Sequence, residues 1–166
     1  MEKSPEKGSA ILKWIDFSSD AGGVISAACL LMVSIIIVYE VIVRYLFNSP
    51  TTWVLEMSVY LSIAIGLLGA AYALKNNSHF SITFATDKLS LKNQKRMKVL
   101  TSAAGIVYST IFIYEGINMV QFSYEMEDAS TGMMATPLWI PGLLIPLGGL
   151  LLTLQFLKKF IDELAG

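Results

Sequence analysis

The sequence predicts an all-α integral membrane protein with four transmembrane helices. Three observations carry that expectation. Hydrophobic residues make up 54% of the 166 positions and the mean hydropathy is +0.60, against an apolar share of roughly 45–50%, Gly included, in ordinary soluble domains. Four apolar runs are each long enough to supply the roughly 20 helical residues that cross a hydrocarbon core about 30 Å thick. Every Lys and Arg except Arg44 falls on one side of the topology those runs imply. The length suits a single membrane domain covering residues 1–166.

Composition also removes several classes. The net charge of −1 offers no basic excess for nucleic acid. Cys29 is the sole cysteine, so neither an intrachain disulfide nor a cysteine-based metal site is expected. His79 is the sole histidine, and one histidine cannot give the facing axial pair of a haem-binding anchor. No cofactor is expected. The first apolar run is far longer than the roughly 7–15 residues of a signal-peptide core, so it should stay attached as a span.

In chain order, residues 9–19 place Ile11, Trp14, Ile15 and Ser18 at helical spacing, with Lys13 and Asp16 on the other side. This reads as an interfacial amphipathic helix or as an extension of the first span. Span one covers about residues 22–47, and Asn48 and Pro50 end it. Span two covers about 53–74, with Thr51 or Thr52 as its cap and Glu56 near its positive dipole end. Ser58, Ser62, Gly66 and Ala70 recur every four residues along it, a helix-packing stripe for the chain itself or for another subunit. Residues 76–92 read as an interfacial loop whose neighbouring lysines suit lipid headgroups. Span three covers about 97–122, with Thr101, Gly105 and Ser109 as a close-packing face. Span four covers about 137–157, starting at Pro137 and kinked by Pro141 and Pro146.

Orientation follows from charge. Lys3, Lys7 and Lys13 precede span one. Lys75, Lys88, Lys92, Lys95, Arg96 and Lys98 lie between spans two and three, and Lys158 and Lys159 follow span four. The positive-inside rule puts both termini and this middle loop in the cytoplasm. The Asn48 turn and the loop carrying Glu125, Glu127 and Asp128 then face outward, the acids being a candidate contact for an outer-face partner.

Glu40, Arg44, Glu56 and Glu115 all fall toward the outer ends of their spans. Glu40 and Arg44 are four apart with the acid first, the better order for a helical pair. Arg44 is expected to serve Glu40, Glu56 or both. The favoured role for Glu40, Arg44, Asn48, Pro50, Trp53 and Glu56 is a structural clasp joining spans one and two. A contact with a partner subunit and a proton or ion path stay open. No catalytic constellation or metal-ligand set is present in the sequence, so the chain is not expected to be an enzyme. Without paired broken helices or an internal repeat, it reads as an accessory or scaffold subunit. A small multidrug-type exporter and a redox-complex anchor are the alternatives.

The stretch RYLFNSPTTWVLEMSVYL at Arg44–Leu61, followed by GAAYALKNNSHFSI at Gly69–Ile82, resembles the small integral-membrane subunit of tripartite ATP-independent periplasmic (TRAP) transporters. Arg44, Tyr45, Phe47, Asn48, Pro50, Trp53 and Glu56 match that family's pattern in order and spacing, and Pro137, Trp139, Pro146 and Gly148 look like its last span. The chain departs at Thr83, where the family tends toward an acid. The resemblance implies a subunit of the bacterial inner membrane that binds a large permease subunit. That transporter would be a sodium-driven importer of an organic acid, such as sialic acid or a C4-dicarboxylate. The acid would be delivered by a periplasmic binding protein touching the complex transiently.

Overall fold

A computed structural model describes residues 10–76 and 91–165. Most of the 76–92 loop, His79 and the end of the second resemblance stretch lie outside the described residues. The described chain is all-α: α1 (Ala10–Leu46), α2 (Trp53–Lys75), α3 (Leu91–Glu125), α4 (Trp139–Gly142) and α5 (Leu144–Ala165). Four helical stretches, Leu12–Leu46, Trp53–Lys75, Asn93–Glu125 and Trp139–Leu164, are long and apolar enough to cross a membrane.

Of the two readings of residues 9–19, the described part, from Ala10, matches an extension of the first span rather than a separate helix. α1 runs unbroken for 37 residues, about 55 Å at 1.5 Å per residue. The Gly22–Gly23 pair does not end it, because α2 packs onto both. A Cβ on Gly22 would lie 3.2 Å from the Leu68 carbonyl oxygen, and one on Gly23 would lie 2.5 Å from the Tyr72 ring. The glycines allow close approach rather than a break. α1 ends at Asn48, whose φ of 50° turns the chain so that the Phe47 and Ser49 N–H groups both donate to the Val43 carbonyl, at 3.1 and 3.4 Å.

α3 reaches Glu125, beyond its expected end, and closes with a Schellman motif. Glu127 adopts a φ of 51°, its N–H donates to the Tyr124 carbonyl at 3.3 Å, and the Asp128 N–H donates to Ser123 at 3.0 Å. A short hairpin follows. Ala129 bridges Pro137, the Ser130 N–H donates to Thr136 at 2.9 Å, and the Leu138 N–H donates to Asp128 at 2.9 Å. Pro137 therefore sits in the hairpin, not at a helix start; its carbonyl accepts from Ile140 at 3.1 Å. The interruption expected from the prolines falls at Leu143, between α4 and α5.

The helices form a row more than a closed bundle. α1 packs along α2 and α3 along α5, and the α2–α5 contact joins the two pairs. Glycines make each approach close: Gly69 against Ser26, Gly148 against Leu67, Gly105 against Phe156, Gly149 against Ile113 and Gly116 against Pro146. Hydroxyls add specific bonds: Ser26 Oγ donates to the Ile65 carbonyl at 3.1 Å, and Thr153 Oγ1 donates to Ser109 Oγ at 2.8 Å. Many of the buried residues are small or polar, among them Ser19, Ser26, Ala64, Ala71, Ser102, Ser109 and Gln155, beside the larger Ile15, Val33, Val54 and Leu74, while most Leu, Ile, Val and Phe side chains lie toward the outside. Lipid removes the hydrophobic drive between helices, so small-residue packing and hydrogen bonds must hold the row together.

Candidate functional site

The turn between α1 and α2 is built around one carboxylate. The last turns of α1 carry Glu40 and Arg44 on one face, and Asn48 folds the chain back so that Thr51 arrives beneath them. Arg44 donates to Glu40 Oε1 from Nε at 3.0 Å and from Nη2 at 2.6 Å. The Thr51 N–H donates to Glu40 Oε2 at 3.1 Å, and the Thr51 hydroxyl donates to the same oxygen. Both oxygens of a carboxylate only 7% exposed are thus occupied. Tyr39 and Trp53 rest against each other, ring centroids 6.1 Å apart, alongside this contact. Asn48 and Pro50 are exposed in the turn. Thr52 stands at the N-cap of α2 without a side-chain cap bond, and Thr51 spends its hydroxyl on Glu40.

Glu56 lies apart from this group. It is 9% exposed, and neither of its oxygens meets a donor among the described residues. Arg44 serves Glu40 and not Glu56. Above Glu56 sits Gly132 of the hairpin, placed so that any Cβ there would collide with the carboxylate. The hairpin is held by the Gly132 N–H donating to Ser130 Oγ at 3.2 Å and the Ala135 N–H donating to Gly132 O at 3.2 Å. Glu125, Glu127 and Asp128 point outward beside it and are exposed. Among the described residues no group of three or more His, Cys, Asp or Glu is arranged to hold a metal ion.

The stripe on α2 is split. Ser62 and Gly66 are exposed, and a Cβ on Gly66 would meet nothing within 4 Å. Ala70 is half-buried, Ser62 Oγ donates back to the Ser58 carbonyl at 2.6 Å, and the buried Ser58 Oγ has no hydrogen-bond partner among the described residues. Packing onto α1 uses the neighbouring Gly69 instead. The α3 stripe turns inward: Gly105 meets Phe156 and Ser109 is fully buried.

A second polar cluster, at the Lys75 end of the row, was not anticipated. Lys158 of α5 donates to both carboxylate oxygens of Asp16 on α1, at 2.5 and 2.6 Å. Lys75 of α2 reaches Asp20 at 2.5 Å and the Asp16 carbonyl at 3.2 Å. Ser19 Oγ donates to Gln155 Oε1 at 3.2 Å, and Ser102 Oγ to Glu163 at 2.8 Å. The available signal was the pair Asp16 and Asp20, one helical turn apart beside lysines read only as topology markers.

A sequence model of the family described as tripartite ATP-independent periplasmic transporters, DctQ component, matches residues 13–166. The chain belongs to this TRAP transporter family. This TRAP small permease subunit, a multi-pass membrane protein, is 27% identical over 127 residues to the sialic acid TRAP transporter small permease protein SiaQ of Vibrio cholerae, covering 76% of this chain and 72% of that one. A putative TRAP transporter small permease protein of Haemophilus influenzae is 30% identical over 112 residues, 68% of each chain. The sialic acid TRAP transporter permease protein SiaT of Haemophilus influenzae is 26% identical over 123 residues, which are 74% of this chain but 20% of that much longer protein.

Proposed function

We propose that the chain braces a large TRAP permease subunit in the inner membrane and widens the static frame against which that subunit moves its solute. The match to SiaT carries this reading: there, a segment like this chain is continuous with a much longer permease. The flat helix row, apolar outside and small-residue-packed inside, suits a brace. The driving force is a sodium gradient. The solute is an organic acid such as sialic acid or a C4-dicarboxylate, delivered by a periplasmic binding protein.

In this reading the Glu40–Arg44–Thr51 contact is a structural clasp, and both termini are cytoplasmic. The exposed acids Glu125, Glu127 and Asp128 are available to the binding protein. Full occupancy of Glu40 weighs against an exporter whose membrane carboxylate must titrate in a cavity. Affinity purification of the chain in mild detergent from its native membrane tests the brace. A much larger membrane protein should co-purify in fixed stoichiometry; a stable homodimer that transports cationic drugs alone would overturn the reading.

A further inference from the structure

Glu115 lies deeper than its place in the sequence indicated. Its neighbour Gly116 packs against Pro146, where a Cβ would lie 2.9 Å from the proline nitrogen. Two residues on, a Cβ on Gly148 would lie 2.5 Å from Leu67 Cβ. Glu115 is therefore level with the middle of α2, a 23-residue helix whose length of about 35 Å fits one bilayer crossing. At that mid-membrane depth Glu115 is exposed and makes no hydrogen bond or ion pair with a described residue.

The α3 face that carries it is also patterned. Tyr108, Ile111, Glu115, Asn118 and Phe122 are all exposed. They recur at alternating spacings of three and four, the seam by which one helix packs along another. This seam points away from α5, which takes the Gly105, Ser109 and Gly116 face. The outward line of α1 at Leu31, Ile35, Val38 and Ile42 has the same spacing and exposure but is wholly apolar. Acyl chains suit that α1 line. They do not suit a carboxylate and a carboxamide in mid-membrane, because hydrocarbon offers neither a donor.

Resting on the brace reading above, we propose that the Tyr108–Phe122 face of α3 is the surface that meets the large permease. Its counterpart is a transmembrane helix presenting a basic or amide side chain at the depth of Glu115. That donor neutralises or hydrogen-bonds the carboxylate and, with Asn118, fixes the register of the two helices, while α1 faces lipid.

Photo-crosslinking in the co-expressed transporter tests this. A photoreactive residue at position 111 or 118 should link to the large permease, and one at 35 or 38 should link to lipid. Links to the permease from 35 and 38, in equal or greater yield, would overturn the proposal, as would only lipid adducts or pairs of this chain from 111 and 118. As a second measurement, Glu115→Leu should lose the co-purifying permease yet leave the unfolding temperature of the isolated chain unchanged or higher. Retention of the permease at wild-type yield would contradict the proposal. If the unsubstituted chain retains no larger permease at all, the brace reading itself fails.

Discussion

Replacing Glu40 should damage the α1–α2 junction more than replacing its cationic partner. In Glu40→Ala the Thr51 N–H and hydroxyl both lose their acceptor. Leaving buried donors unpaired costs about 1–3 kcal/mol each, and the hydroxyl can rotate to another acceptor, so the loss is about 2–4 kcal/mol. The Arg44 side chain is 56% exposed and returns to water at little cost. In Arg44→Ala, by contrast, Glu40 keeps both Thr51 donors, and an exposed partner limits the loss to about 1 kcal/mol. For a chain of this size 1 kcal/mol moves the unfolding midpoint by about 2–4 °C. Thermal unfolding of the purified protein in detergent should therefore fall by roughly 4–16 °C for Glu40→Ala and by about 2–4 °C for Arg44→Ala. Trp53, in contact with Tyr39 at this junction, provides a local fluorescence signal. A larger loss for Arg44→Ala, or no loss for either, would refute the assignment of Glu40–Thr51 as the strap that holds the turn.

Three further outcomes are expected. Gly132→Ala pushes a methyl into the Glu56 carboxylate, so protease cleavage within residues 129–137 should increase; Glu56→Ala in the same chain should restore protection, and failure of that rescue would separate the two residues. Lys158→Met leaves Asp16 without its ion pair at a partly exposed site, which should cost about 1 kcal/mol; exchanging the two charges, Asp16→Lys with Lys158→Asp, should recover most of it in a thermal unfolding series. Gly105→Leu overpacks the α3–α5 contact at Phe156 and should lower stability by about 1–3 kcal/mol, whereas Gly66→Leu, facing open space, should leave the isolated chain as stable as before.

Local signals made much of this fold legible. Apolar runs marked the four crossings, Asn48 and Pro50 marked the first turn, and four-residue spacing paired Glu40 with Arg44. The second partner of Glu40, Thr51, depended on how Asn48 turned the chain, and spacing along one helix does not encode that. Glu56 ends beneath Gly132, and Asp16 meets Lys158, across separations where only the packed row brings the residues together. The period of four in both small-residue stripes was equally clear on α2 and α3. Which stripe turned inward was decided by the bulky partners opposite: Phe156 faces Gly105, and no described residue faces Gly66. Span one is expected to begin near Gly22, yet the helix runs through Gly22 and Gly23, which lie against Leu68 and Tyr72. The level of Glu115 against α2 is set by how α3 meets α5 at Gly116 and Pro146 and α5 meets α2 at Gly148 and Leu67, which position along α3 alone does not encode.

The most direct measurement is solute uptake by proteoliposomes containing the large permease with or without this chain, supplied with binding protein and an inward sodium gradient. The brace account predicts organic-acid uptake only when both membrane subunits are present, and none from this chain alone. Full uptake without this chain, or transport by this chain by itself, would contradict it.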